Sequence, residues 1–371
     1  MKIISLFSTK NTIEEATADL QNQYQTLFGE NSARLVIFFA TSTFDPSTVC
    51  KEMKGIFGDA DVFGCTTAGE LVSGHMLKNS IVAMVFDAEA VLDVEVGIVE
   101  NLKEETKIEG VFKKLEEHYG PLNELDVKTH VGIVLIDGLS GAEEKLMEKI
   151  GDQTDLTFVG GSAGDDTKFK VTHVFHNNES YTDAAVVALI KTGTEFSILK
   201  TQSFKDTGKK LTATKVDEKE RLIVEFDGKP AATAYAEALG VSEEQAANEF
   251  MSHPVGLMIN DEPFVRSPQQ IIGKDMKFYC NIKEGTNLSI LDSTNIVEET
   301  KKALEEKVAE MDGVSAIINF HCILRTLELE KKDQIEAYGK LFSDIPTIGF
   351  STYGEQYIGH MNQTSTILLF K

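Results

Sequence analysis

One pattern returns three times along this chain, and it constrains the fold more than any single motif. An apolar run is followed by a helix-like stretch and then by a glycine-bearing segment. LVIFFATSTFD (35–45) leads to DVFGCTTAGEL (61–71), VGIVLIDGLSG (131–141) to LTFVGGSAGDD (156–166), and VSAIINFHCILR (314–325) to PTIGFSTYGEQY (346–357). Roughly 25 residues separate the end of each first strand from the glycine of the second, the length that a strand, a crossover helix and a second strand require. A further strand follows each glycine segment, as NSIVAMVF, TDAAVVALI and TSTILLF. The first and third copies also share Gly-Glu and then Gly-His-Met: Gly69-Glu70 with Gly74-His75-Met76, and Gly354-Glu355 with Gly359-His360-Met361. The pattern predicts a repeated β-α-β-β unit. Its period is too irregular, and its copies too few, for a solenoid.

Between the second and third copies the material changes. RLIVEFDGKPAATAYAEALG (221–240) reads as a strand, a turn at Asp227-Gly228 and a helix. HPVGLMINDEPFVRSP (253–268) and DMKFYCNIKEGTNLSIL (275–291) read as hairpin-type strands with turns between them. The short polar stretch KDTGKK (205–210) is the best linker candidate. The expected architecture is α/β, mixed α+β: two related domains built from repeated β-α-β-β units, with helices covering the sheets. The expected division is 1–205 and 211–371.

Composition narrows the partners. With 59 acidic against 36 basic residues the net charge is −23, a field that repels phosphate backbones and anionic lipid. Nucleic acid is therefore not an expected partner, and neither is a membrane. No apolar stretch approaches the length of a bilayer span, and the N-terminal MKIISLF lacks the long apolar region of a signal peptide. Four scattered cysteines, Cys50, Cys65, Cys280 and Cys322, form no C-x-x-C pair and fit reduced thiols in the cytoplasm. No metal-ligand spacing and no cofactor fingerprint is present, so neither is expected.

The glycine segments and the material between them resemble the FIST family, whose domains are sensors proposed to bind small ligands such as amino acids. FGCTTAGEL and VGGSAGDD carry the resemblance in the N-terminal half. DGKPA (227–231) leading to Tyr235, HPVGL (253–257), Val265-Arg266, EGT (284–286), FHCILR (320–325) and IGFSTYGEQ (348–356) carry it in the C-terminal half. Where the family pattern often has a small residue after the phenylalanine, this chain has His321. The resemblance implies an intracellular sensor of an amino acid or another organic acid. With no output domain attached, its signal would pass to a downstream protein in trans.

Arginine supplies the clearest ligand chemistry. The chain has only four, Arg34, Arg221, Arg266 and Arg325, and the last two are expected to end the apolar strands FVR and FHCILR. A guanidinium grips a carboxylate with two parallel hydrogen bonds, which lysine does not. Arg325 and Arg266 are thus candidate carboxylate anchors, although an internal ion pair would use them equally well. Around the glycine segments, small polar groups gather at strand ends, where α/β folds build pockets. These are Thr66, Thr67, Glu70, Gly160, Gly161, Ser162, Asp165, Ser351, Tyr353 and Glu355. The glycines would aim amides at an anion or else form tight turns of positive φ. Glu70 and Glu355 would receive a ligand ammonium or cap backbone. Asp137, with Ser140 beyond it, is a pocket wall or an Asp-Gly turn ahead of a helix.

A Cys-dependent amide or thioester hydrolase is the alternative, with Cys65 or Cys322 as nucleophile and glycine-segment amides as oxyanion hole. His321 precedes Cys322 directly, and neighbours on a strand point to opposite faces, so it is a poor base for that thiol. A non-catalytic scaffold is the third reading. Cys322 is also a candidate ligand-pocket residue of the sensor reading, whereas the scaffold reading expects no polar pocket.

Overall fold

The computed structural model describes residues 1–371 except Glu30 and Asp261. It is a mixed α+β structure in which helices pack on several mixed sheets, and it divides into two compact units. The first comprises Met1–Lys200, Lys301–His360 and Ser365–Lys371; the second comprises Thr201–Thr300 and Met361–Thr364. The first two copies of the sequence repeat fall in the first unit, and so does the third apart from Met361–Thr364.

Each copy is an eight- or nine-element unit of the same order. The first runs β1 (Ile3–Ser8), α1 (Ile13–Phe28), β2 (Leu35–Thr41), α2 (Pro46–Phe57), β3 (Asp61–Thr67), β4 (Glu70–Val72), β5 (His75–Leu77) and β6 (Ile81–Phe86). The second runs β7 (Val91–Glu100), α3 (Glu109–Tyr119), β8 (His130–Ile136), α4 (Glu143–Gln153), β9 (Phe158–Ser162), β10 (Val174–His176), β11 (Glu179–Tyr181) and β12 (Ala184–Thr192). The third has β13 (Phe196–Gln202), α5 (Ile296–Glu310), β14 (Ala316–Cys322), α6 (Ile323–Lys331), α7 (Ile335–Lys340), β15 (Thr347–Thr352), β16 (Glu355–Tyr357), β17 (His360–Met361) and β18 (Thr364–Phe370). Strands β2, β8 and β14 are buried along their whole length, as expected of apolar runs covered on both faces.

The three sheets share one strand order, and each is completed by a hairpin from another copy. The first sheet is β1-β6-β2-β3 followed by β10-β11 of the second copy. The second is β7-β12-β8-β9 followed by β16-β17 of the third, and the third is β13-β18-β14-β15 followed by β4-β5 of the first. The hairpins are therefore exchanged in a closed cycle. Backbone pairs seal each junction alike. Thr66 N–H donates to His173 O at 2.9 Å and Gly164 N–H to Thr66 O at 2.9 Å. Ser162 N–H donates to Gly354 O at 2.8 Å and Tyr353 N–H to Ser162 O at 3.1 Å. Ser351 N–H donates to Gly69 O at 2.7 Å and Ala68 N–H to Ser351 O at 3.2 Å.

One face of every sheet feeds a single apolar core, to which Phe39, Cys65, Ile133, Val159, Phe320 and Phe350 contribute. The opposite faces carry the helices. Phe38, Ala40, Ile81 and Ala83 lie in the apolar cluster shared with α1 and α2, and Val134, Ile136, Ala185 and Val187 in that shared with α3 and α4.

The repeat glycines are strand residues, not turns. Gly64, Gly160 and Gly349 sit opposite Phe38, Val134 and Asn319 in the parallel ladders. None has a positive φ. A Cβ there would lie 2.0, 1.7 and 2.3 Å from the carbonyl oxygen of its opposite residue. Close backbone approach is what requires glycine at these three places.

The second unit is one eight-stranded sheet whose ordered path is Glu262–Arg266, Val255–Ile259, Asn287–Ser293, Phe204–Asp217, Leu222–Phe226, Asp275–Phe278 and Pro268–Ile272. Asp227 and Gly228 turn with positive φ into the helix Ala231–Leu239, as the sequence suggests. In the hairpin read at 253–268, Asp261 lies outside the described residues. KDTGKK is not a linker: it lies inside the strand Phe204–Asp217, where the pairing shifts between Asp206 and Lys210. Gly208 there has φ +79, and its N–H donates to Asp206 Oδ1 at 2.8 Å. A polar, glycine-bearing bulge and a polar linker have the same composition.

Candidate functional site

The cyclic order lets equivalent positions be compared across the copies. On the helix-facing side, the last position paired on both edges of the first sheet's central strand places Ala40 between Thr66 and Ile81. The second places Ile136 between Ser162 and Ala185. The third places His321 between Ser351 and Ser365. Two residues earlier, Phe38 and Val134 are replaced by Asn319. Where the central strands of two copies carry Phe38 and Ala40 or Val134 and Ile136 under their helices, that of the third carries Asn319 and His321.

That seam is closed off from solvent. Asn319, His321 and Ser365 have no exposed surface, and Arg325 retains 1%. Asn319 Nδ2 donates to Tyr338 Oη at 3.3 Å, and Ser365 Oγ donates to Asn319 Oδ1 at 2.6 Å. Thr326 and Ser351 share a hydroxyl pair at 2.8 Å. The His321 ring lies 4.6 Å from that of Tyr338 on α7. No described residue offers a hydrogen bond to either of its ring nitrogens. Burial, and then the Arg325 guanidinium, hold the imidazole well below its usual range, so it is neutral.

Arg325 does not end a strand. The strand stops at Cys322 and α6 starts without a connecting loop, so Arg325 lies in the first turn of that helix. The unbroken apolar run FHCIL spans both elements, and a short apolar run does not distinguish strand from helix. Beside the seam is a cleft of about 300 Å³, lined among others by Ala68, Lys78, Asp166, Lys168, Ile323 and Leu327. Helix α6 borders it through Ile323 and Leu327 while its Thr326 reaches Ser351. Lys78 pairs with Glu330 at 2.5 Å, and Lys168 donates to Ser42 Oγ at 3.1 Å.

The polar residues named from the sequence each have protein partners. Asp165 accepts from the N–H groups of Phe169, Lys170 and Val171, and from Tyr353 Oη. Tyr353 stacks on Phe169, and burial, then the Asp165 hydrogen bond, raise its phenol above the usual range. Thr66 Oγ1 accepts from His173 N–H at 2.9 Å. Glu70 accepts from Thr67 Oγ1 and from the N–H and hydroxyl of Ser80. Its burial pushes the carboxyl up to about 7. Glu355 repeats the arrangement, accepting from Thr352 Oγ1 at 2.6 Å.

Gly160 and Gly161 are laddered on both sides, to β8 and β16, so their amides serve the sheet. Ser162 Oγ accepts from Gln356 Nε2 at 3.0 Å. Asp137 accepts from Leu139 and Asp183 N–H and from Thr172, and Ser140 Oγ accepts from Ala142 N–H. These two organise the turn ahead of α4. Arg266, in the second unit, donates to its neighbour's carbonyl, Val265 O, at 3.1 Å. Cys322 is buried at the end of β14. Cys65 lies in the central core, where burial pushes its thiol well above the usual range. Among the described residues no cluster of acids, histidines and cysteines suits a metal, and no helix is long and apolar enough to cross a membrane.

Comparison with known families is decisive here. Residues 34–229 match the model of the FIST N domain, and residues 231–358 that of the FIST C domain. The chain belongs to the FIST family. FIST domains are generally signal-transduction sensor domains, associated with sensing rather than catalysis. The FIST C match continues into β14, α6 and β15, so Asn319, His321, Arg325, Thr326, Tyr338 and Ser351 of the seam lie within it, and Ser365 lies beyond its end. An uncharacterized protein of Methanocaldococcus jannaschii is 22% identical over 283 residues, which cover 70% of this chain and 54% of that protein. The chain spans about half the length of that relative.

Sequence reading missed His321, Asn319, Tyr338, Thr326 and Ser365 as members of one group. The signal was present in part: His321 stood out as a departure from the family pattern. Its weight appears only when it is set beside Ala40 and Ile136.

Proposed function

We propose that this protein is a cytoplasmic sensor of a small carboxylate, an amino acid or another organic acid, whose binding alters the third repeat and is read by a partner protein in trans. The observation that carries the reading is the polar seam of the third repeat, built on Asn319 and His321 where the central strands of both sister repeats are apolar. Buried polar groups without full pairing destabilise a fold, and persist where function retains them. Arg325 would take the carboxylate in its fork, with Thr326 and Ser351 donating beside it. Lys78 and Lys168 line the cleft alongside, each paired there with an acid, Glu330 and Asp166, so the anchor for the anion is Arg325. Entry would require α6 to shift from Ser351, and that displacement is the signal.

The test is a thermal-shift screen with an external dye, since the chain has no tryptophan. The panel holds amino acids, di- and monocarboxylic acids and their amides. A ligand that binds only the folded state raises the melting temperature by mass action. The reading requires a rise confined to carboxylates and lost in Arg325→Lys, which keeps the charge and removes the fork. A rise with the amides as well, or one untouched in the variant, would refute it.

A further inference from the structure

His321 is the residue that the carboxylate reading leaves unused, and its surroundings say what it is fitted to do. A neutral imidazole has one donor nitrogen and one acceptor nitrogen. Here neither has a hydrogen-bond partner among the described residues, although the ring has no exposed surface. The elements packed around it supply few charges. From β15 and β18 come the hydroxyls of Ser351 and Ser365, and from α7 the phenol of Tyr338. From α6 come Arg325, which acts on the ring electrostatically, and Glu328, whose carboxylate is held by Lys332 at 2.6 Å. The neighbouring cation thus opposes a second positive charge on His321, and among the described residues Arg325 is the charged group that acts on the ring.

We propose that His321 is a ligand-contacting residue of this site, and that a carboxylate binding beside Arg325 takes up one proton from solvent onto the imidazole. The inference rests on the carboxylate reading. Burial first, and then Arg325, keep the ring neutral; an anion placed between the two groups offsets the Arg325 repulsion and offers the newly formed N–H⁺ an acceptor in place of lost solvent. The bound state then holds one proton more than the free state, and no other bond is made or broken. Linkage fixes the sign: affinity rises as pH falls. Between the titration points of the free and bound imidazole, it rises by up to about tenfold per pH unit. Acidification of the surroundings and accumulation of the anion would reinforce each other, so the protein would report both.

The experiment is calorimetric titration of the full chain with acetate, succinate and L-alanine. Each is run in two buffers of different ionisation enthalpy, across pH 5.5 to 8. The difference in apparent enthalpy between the buffers counts protons directly on the unaltered protein. Uptake approaching one proton per bound carboxylate, abolished in His321→Asn with affinity turned flat in pH, is the expected result. Binding with no proton exchange overturns the inference and leaves the carboxylate reading intact. Proton uptake that persists in His321→Asn assigns the proton elsewhere and also overturns it. If none of the three anions binds, the carboxylate reading falls and this inference falls with it. Should His321→Asn not fold, the ring proton resonance of His321 in the unaltered protein decides: its titration midpoint must rise on adding the anion.

Discussion

His321 and Ser351 face one another across the parallel ladder of β14 and β15, where the sister repeats pair Ala40 with Thr66 and Ile136 with Ser162. The strand order, the glycine beneath and the exchanged hairpin are the same in all three, and the two sister residues at this position are apolar. Substituting the second repeat's residue, His321→Ile, should therefore stabilise the ligand-free protein. It removes two buried polar atoms without partners among the described residues, worth about 1–3 kcal/mol, and fills the place with an apolar group. Urea unfolding should show a higher midpoint at an unchanged m-value. A lower midpoint would mean that the imidazole is better satisfied than its surroundings indicate.

The same residue should leave a mark on the pH dependence of stability. His321 is neutral in the folded chain, held well below its usual range by burial and then by Arg325, whereas in the unfolded chain it takes up a proton near pH 6.5. The unfolded state then binds more protons, and stability contributed by this group falls as pH drops below about 6.5. The slope is at most about 1.4 kcal/mol per pH unit. Comparing unfolding of the parent with His321→Ile from pH 7.5 to 5 isolates it: the parent should lose more. Parallel profiles would show that the ring protonates equally in both states.

Glu70 works in the opposite direction. Burial pushes its carboxyl up to about 7 against the ordinary 4.5, despite three hydrogen bonds that favour the charged form. The folded chain holds this proton where the unfolded chain has lost it. The group's contribution is complete below about pH 4.5 and is lost as pH rises through 7, a swing of roughly 3 kcal/mol. Glu70→Gln, which cannot ionise, should flatten the profile between pH 4.5 and 7. If the variant keeps the slope of the parent, the proton belongs to another carboxyl.

The glycines separate close packing from mere flexibility. A Cβ at Gly160 would stand 1.7 Å from Val134 O, inside a ladder fixed on both sides. Gly160→Ala should cost about 3 kcal/mol. Gly55 sits in α2 with nothing within 4 Å of its would-be Cβ and no positive φ. Gly55→Ala should stabilise by about 0.5–1 kcal/mol, because glycine in a helix interior carries the larger entropy loss. Denaturation midpoints moving in opposite directions would establish the distinction, and two destabilised variants would remove it.

How far the sequence speaks depends on how local each feature is. Strands β2, β8 and β14 were legible because an apolar run buried on both faces needs nothing distant to explain it. Arg325 was misplaced because FHCIL passes from strand to helix without a break in hydrophobicity. KDTGKK was misjudged because a bulge and a linker ask for the same residues. The hairpin cycle was beyond reach: β4 pairs with β15, whose residues lie more than 270 positions away along the chain, as Gly349 opposite Leu71 shows. His321 was visible as an oddity, and became a site residue only through its register with Ser351 and Ser365.

The third exchanged hairpin carries the last testable departure. At its tip Ile358 adopts φ +61 and is 80% exposed, between Tyr357 and Gly359. The second repeat turns at the corresponding place through Asn177, φ +51, and Asn178; the first turns through Ser73 and Gly74. A β-branched residue is poorly suited to the left-handed region, which asparagine and glycine tolerate in tight hairpin turns. Ile358→Asn should therefore raise stability by about 1 kcal/mol, with the fold and any carboxylate response unchanged. The gain should appear equally at low and neutral pH, since no titratable group is altered. A loss of stability instead would show that the isoleucine side chain contributes contacts worth more than the strain of its backbone.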